Sequence, residues 1–208
     1  FLDPARHELA IVTARRADRL VMVWPAVLTR GSIRRLDWMG EPVSQYGDVL
    51  AEPGPDTPRL LRQAWDFLVR SVRPDVVSFR KTRTDAVIAP LLAGFAASPV
   101  CRETAPFADL SAAQGFESYA ERRWSSKARK NRRRQMRRLE ELGPVAVERH
   151  CNGDEASRLA SRAIEVKRRW LADRGLVSPA LADPAYQGFF AAVASGREHP
   201  SGCRVSTL

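Results

Sequence analysis

Between Arg122 and Arg138 the chain reads RRWSSKARKNRRRQMRR, ten basic residues with no acidic one among them. The 208-residue chain carries 34 Lys and Arg against 24 Asp and Glu, a formal net charge of +10. Outside this stretch the remaining 24 basic residues balance the 24 acidic ones, so the whole excess is local. Ala, Arg, Lys, Gln and Met favour a helix here. Ser125 or Ser126 can cap its start, because a hydroxyl oxygen accepts a first-turn amide. Gly143-Pro144 supplies the stop. The apolar stripe on this helix is thin: Ala128, Met136, Leu139 and Leu142. The rest of its circumference is charged and faces water or an anionic partner.

Lys127, Arg129 and Lys130 fall in the first turn, where the helix dipole is positive and favours anions. Cations crowd there at a cost, but free amides and several cations together suit an anion. Two readings stand side by side. One is a solvated basic helix that aids solubility. The other is a surface for phosphate or another polyanion: nucleic acid, anionic lipid or a phosphorylated substrate. Beyond Trp124 no aromatic residue accompanies the arginines, which argues against single-stranded nucleic acid, whose bases need stacking platforms.

The length allows one large domain or two small ones, and an apolar content of 44% is enough for a core. No apolar run reaches the length of a membrane-spanning helix. The opening FLDPARHELA lacks the charged-then-apolar order of a secretory leader. It also lacks Met, and the chain ends in mid-pattern at CRVSTL, so we expect a piece of a longer protein. Cys101, Cys151 and Cys203 are scattered and odd in number, which suits a reducing compartment and gives no CxxC metal site. The expected location is cytoplasmic, with the inner membrane face as a variant.

In chain order, Glu8 to Arg16 and Leu20 to Leu28 form a strand pair around the turn Ala17-Asp18. Pro25 suggests an edge or a bulge. Ile33 to Met39 is a third strand, and SQYGDVL is a polar loop entering another short one. Asp56-Thr57-Pro58 starts a helix, with Asp56 as its capping side chain. Leu60, Leu61, Ala64, Trp65, Leu68, Val69 and Val72 line one face of it, with Trp65 as core. Pro74 ends the helix, and Asp75 to Phe79 reads as a buried strand. Ala86 to Phe95 is a further helix that Pro90 either kinks or starts. Val100 to Leu110 reads as a strand. The order is α/β with a mixed sheet.

Gly115 to Arg123 is a short helix leading into the basic one. Pro144 to Arg149 is a strand and Asp154 to Arg174 a long helix closed by Gly175. After the loop LVSPALADP, Asp183 caps a helix carrying Tyr186, Phe189, Phe190 and Val193 on its buried face. Cys203 to Leu208 begins a strand. The second half thus runs strand, helix, helix, strand.

That pattern resembles the opening of a GNAT-type acyltransferase domain, and in particular the CelD-like acetyltransferases associated with cellulose and other exopolysaccharide biosynthesis. RRADRLVMVWPAVLTR looks like the family's hairpin. LDWMGEPVSQYGDVL looks like its strand, glycine loop and Tyr-x-Asp segment. WSSKARKNRRRQMRRLEELGPVAVE looks like its basic helix and following strand. VKRRWLADRGL and ADPAYQGFFAAVA look like its paired helices. The resemblance implies a mixed-sheet GNAT-like fold. Residues 1–114 would be an N-terminal GNAT-like half, 115–143 a helical connector with the basic helix, and 144–208 the incomplete start of a C-terminal acyltransferase domain. Met136, Leu139 and Leu142 would dock the basic helix.

The resemblance further implies acetyl-CoA or another acyl-CoA as donor. The family's Gly-rich turn for the CoA pyrophosphate is not found in this sequence, since Gly188 and Gly196 lack the context. It is expected beyond Leu208. The implied acceptor is a saccharide or an envelope-linked precursor, acylated on N or O. The transfer needs positioning, a polarised carbonyl and a proton acceptor. Asp48 is the candidate catalytic residue, to orient or deprotonate a hydroxyl, and its alternative is a turn-forming Asp beside a packed Tyr. Tyr46, Lys167, Arg168 and Trp170 are candidate substrate-binding residues, although Trp170 at helical spacing also reads as core. Lys127, Arg129 and Lys130 are the anion-binding candidates. His150 and Cys151 are adjacent and so point to opposite faces of a strand, which excludes them as a catalytic pair. His7 and His199 have no partners at metal spacing, and no metal is expected. Two other functions fit the same residues: a basic module binding nucleic acid or an anionic membrane, and a FemAB-like aminoacyltransferase.

Overall fold

We describe a computed structural model of the chain, for residues 3–95, 101–109, 111, 114–197 and 204–207. Strands β1 (His7–Arg16) and β2 (Arg19–Thr29) form an antiparallel hairpin. Ala17, with φ of 52°, makes the turn between them. β3 (Arg35–Trp38) pairs antiparallel with β2, and β5 (Val76–Ser78) lies parallel to β3. The two-residue β4 (Leu50–Ala51) also pairs with β2, further along. The sheet is therefore mixed, as expected for this α/β order.

Pro25 is neither at an edge nor at a bulge. β2 has β1 along one side, and the register shift of that pair lies at Ala14/Arg15. On its other side β2 pairs through Ala26–Thr29 with β3 and through Met22–Val23 with β4. Pro25 sits in the gap between the two. Its carbonyl accepts the Met39 amide at 3.1 Å, and its missing N–H falls where no ladder bond is called for.

The core lies between this sheet and helix α1 (Thr57–Val72). Alternation along β2 sends Met22, Trp24, Ala26 and Leu28 to one face, where they meet Leu36 and Trp38 of β3 and Leu61, Ala64 and Leu68 of α1. Trp65 is half-buried against the same cluster. Trp38 stacks on Phe79 with centroids 4.2 Å apart, and Trp24 lies 5.9 Å from Trp65. On the sheet's other face Asp37 is buried and pairs with Arg35 Nε at 2.8 Å.

Four further expectations for this half need correction. Asp56 does not cap α1 with its side chain. Its carboxylate is drawn instead to Arg16 at 3.2 Å and Arg59 at 3.5 Å. β5 is exposed rather than buried, because it is the last strand of the sheet and only three residues long. Residues 101–109 form no strand, while Val100 and Leu110 lie outside the described residues. Helix α2 (Ala89–Ala93) is shorter than expected, and Pro90 marks its start.

The rest of the chain is α3 (Phe116–Arg123), α4 (Ser126–Glu140), β6 (Glu148–His150), α5 (Gly153–Ala172), a one-turn α6 (Pro179–Ala182), α7 (Pro184–Ser195) and β7 (Val205–Thr207). β6 and β7 pair antiparallel as a second, two-stranded sheet. Cys203 and Leu208, which the sequence assigned to the last strand, lie outside the described residues. So does His199. Ser125 caps α4, its hydroxyl accepting the Ala128 amide. The apolar stripe of α4 does not dock: no residue of the helix is buried, and Leu142 beyond its end is 87% exposed.

The chain divides into two compact units. One comprises Phe1–Ser98 with Val166–Phe189, and the other Pro99–Glu165 with Phe190–Leu208.

Candidate functional site

The Tyr46-x-Asp48 loop is fixed from three directions. Asp48 Oδ1 accepts the amides of Val49 at 2.7 Å and Ile88 at 3.1 Å, and Oδ2 accepts that of Val87 at 2.8 Å. Lys81 Nζ donates to Glu41, to the Pro42 carbonyl and to the Ser44 carbonyl at 2.9 to 3.2 Å. Gly47 lies flat on Trp38: a Cβ there would come within 2.1 Å of the indole. The Trp38 Nε1–H meanwhile donates to Thr82 Oγ1 at 3.2 Å. This arrangement leaves Tyr46 exposed, with the Arg83 guanidinium 5.6 Å over its ring. Arg83 grips Asp85 with two bonds, of 2.7 and 2.8 Å. The hydrogen bond from Arg83 holds the Asp85 carboxyl below the usual carboxylate range. Asp85 also lines an open hollow of about 450 Å³ with Thr84, Ala86, Ala89, Pro90 and Ala93. The three amides on Asp48 match the turn-forming alternative for that residue.

The α5 candidates separate into two kinds. Arg168 spends its guanidinium on the chain: Nε donates to the Leu181 carbonyl, Nη1 to Gln187 Oε1 at 2.6 Å and Nη2 to the Asp183 carbonyl at 3.2 Å. It ties α5 to α6 and α7. Trp170 is 40% exposed, so it is not core, but cations already lie over its ring. Lys167 Nζ is 3.8 Å and Arg174 Cζ 4.2 Å from the centroid.

Of the first-turn cations of α4, Arg129 turns back onto α3. Its Nη1 donates to the Trp124 carbonyl at 2.8 Å and the Glu121 carbonyl at 3.3 Å, where the negative end of the α3 dipole welcomes a cation. Lys127 and Lys130 are exposed. Among the described residues none of the Lys and Arg side chains of α4 enters an ion pair.

Sequence reasoning passed over a second feature of His150. It dismissed the neighbour Cys151, but the residue two back shares the strand face. Glu148 Oε2 lies 3.5 Å from His150 Nε2, and Thr207 Oγ1, opposite Glu148 on β7, lies at the same distance. The E-x-H spacing in a strand was the available signal. Among the described residues no three of His, Cys, Asp and Glu gather as a metal site. No helix among them is long and apolar enough to cross a membrane.

A family model of the acetyltransferase (GNAT) domain matches residues 126–208. The span takes in α4 and the β6, α5, α7, β7 sequence. No curated protein and no solved structure gives a significant match. The match and the mixed α/β architecture support a GNAT-type fold, and with it acyl transfer as the class of reaction.

Acyl-CoA is the donor of that class, but none of Gly153, Gly188 and Gly196 forms a cradle for its pyrophosphate. Gly153, at φ of 87°, opens α5, yet Asp154 and Glu155 fill the first turn and repel an anion there. At Gly196 the space of a Cβ is taken by Asn152, 2.8 Å away. Gly188 lies within α7.

Proposed function

We propose that this chain serves GNAT-type N- or O-acylation of a saccharide or other envelope-linked acceptor, with acetyl-CoA or another acyl-CoA as donor, in the manner of the CelD-like acetyltransferases. The observation that carries the reading is the order β6, α5, α7, β7 inside the matched span, with its outer strands paired antiparallel. We assign to Asp48 the holding of the Tyr46 loop. Arg168 keeps the turn between α5 and α7 in place. His150, beside a carboxylate and a hydroxyl, is our candidate for taking the acceptor's proton. The expected location is the cytoplasm.

The test is release of free CoA thiol when the natural protein that carries this chain is mixed with acetyl-CoA and a panel of oligosaccharides. Acceptor-dependent release supports the proposal. Failure to bind or cleave any acyl-CoA overturns it. Transfer that depends on aminoacyl-tRNA would assign the chain to the FemAB-like alternative.

A further inference from the structure

We infer that α4 is a docking helix for an anionic membrane surface. Two observations on the same helix lead there. The first is charge. Lys127, Lys130, Arg133, Arg134, Arg137 and Arg138 fall within an arc of about 140° on a helix of 100° per residue. All six are exposed, and among the described residues no ion pair neutralises them. A cluster of this size beside an acidic lipid surface gains about 1 kcal/mol per cation, or about fivefold in partitioning.

The second is the opposite side of the helix. Leu139 and Met136 are 40% and 36% exposed there, and Leu142 is 87% exposed just beyond the last turn. Arg132, on the same side, lies 4.2 Å over the ring of Phe116, itself 46% exposed. Apolar and aromatic groups along one side, with Arg132 laid over Phe116 among them, and six Lys and Arg along the other, at low net hydrophobicity, describe a helix that lies in the plane of a bilayer interface. Nucleic acid would use the cations and leave the apolar side idle. A bilayer uses both, since the long basic side chains reach up to headgroups while the apolar side enters the acyl boundary. This inference stands apart from the acyl-transfer reading and needs neither acceptor nor donor.

Co-sedimentation with vesicles tests it. The protein should bind equimolar phosphatidylglycerol and phosphatidylcholine vesicles, leave pure phosphatidylcholine vesicles in the supernatant, and release as salt rises. The variant K130Q/R133Q/R134Q/R137Q should lose on the order of a hundredfold or more in partitioning. The variant L139S/L142S should lose a few-fold with all charges kept. These side chains are exposed, so circular dichroism should show both variants folded, and the salt titration of the unaltered protein decides independently of either. Equal binding to the two vesicle types overturns the inference. So does binding unaffected by the charge variant. Tighter binding to a DNA or RNA duplex than to acidic vesicles, indifferent to L139S/L142S, overturns it in favour of nucleic acid.

Discussion

Asp48 was read from the sequence as a base or a turn-former, and its three amide contacts give that choice a measurable form. A hydrogen bond to a charged group contributes about 1.5–3 kcal/mol. Asp48→Ala leaves three amides to find new partners and should cost about 2–4 kcal/mol in urea unfolding, while the folded fraction keeps its transfer rate. Lower turnover at unchanged stability would return Asp48 to the chemistry. His150 is the converse case. His150→Gln should reduce kcat by about a hundredfold, with little change in the melting curve. Both residues were visible in the sequence as polar groups in a pattern. What lay hidden was which atoms they face, because the amides of Val87 and Ile88 come from 39 and 40 residues away.

At the scale of elements, periodicity and punctuation located most of the helices and strands. α1, α3, α4, α5 and α7 begin and end close to the capping and glycine signals, since those signals act within one turn. The failures are also physical. β5 was read as buried from its valines, but apolar content does not reveal whether a strand has neighbours on both sides. The apolar stripe of α4 was expected to dock, although whether a stripe finds a partner is decided outside the helix. A local pair in α5 gives a prediction with a definite sign. The hydrogen bond from Arg158 at 2.6 Å, together with its charge, lowers the Glu155 carboxyl below its ordinary value. A folded pKa below the unfolded one adds stability above the unfolded value, and that stability is lost as pH falls through the folded value. Arg158→Gln should therefore be less stable than the parent at neutral pH, by a small amount given the exposure of the pair. The difference should vanish in acid, as followed by thermal melts across the carboxylate range.

Across the whole molecule, the balance of charge was legible from counting and the division of the chain was not. The compact unit built on β1 to α2 also claims Val166–Phe189, a segment far along the sequence. Composition gives no hint of that, because it follows from contacts among distant residues. Inside this segment Arg168 joins α5, α6 and α7 through a planar fork. Arg168→Lys keeps the charge but lacks the geometry for three divergent acceptors. It should cost about 1–3 kcal/mol in denaturant unfolding and leave acceptor affinity unchanged once folded. A raised KM at unchanged stability would instead assign the guanidinium to substrate.

Pro25 carries a last consequence. Where β2 passes from β3 to β4 Pro25 has no N–H to donate and only its carbonyl is bonded, to the Met39 amide, so the excursion from Met39 to Val49 hangs from a seam in the sheet. Strand pairing therefore does not hold Tyr46 in place; the contacts of Gly47 with Trp38, of Asp48 with the Val87 and Ile88 amides, and of Lys81 with the Ser44 carbonyl do.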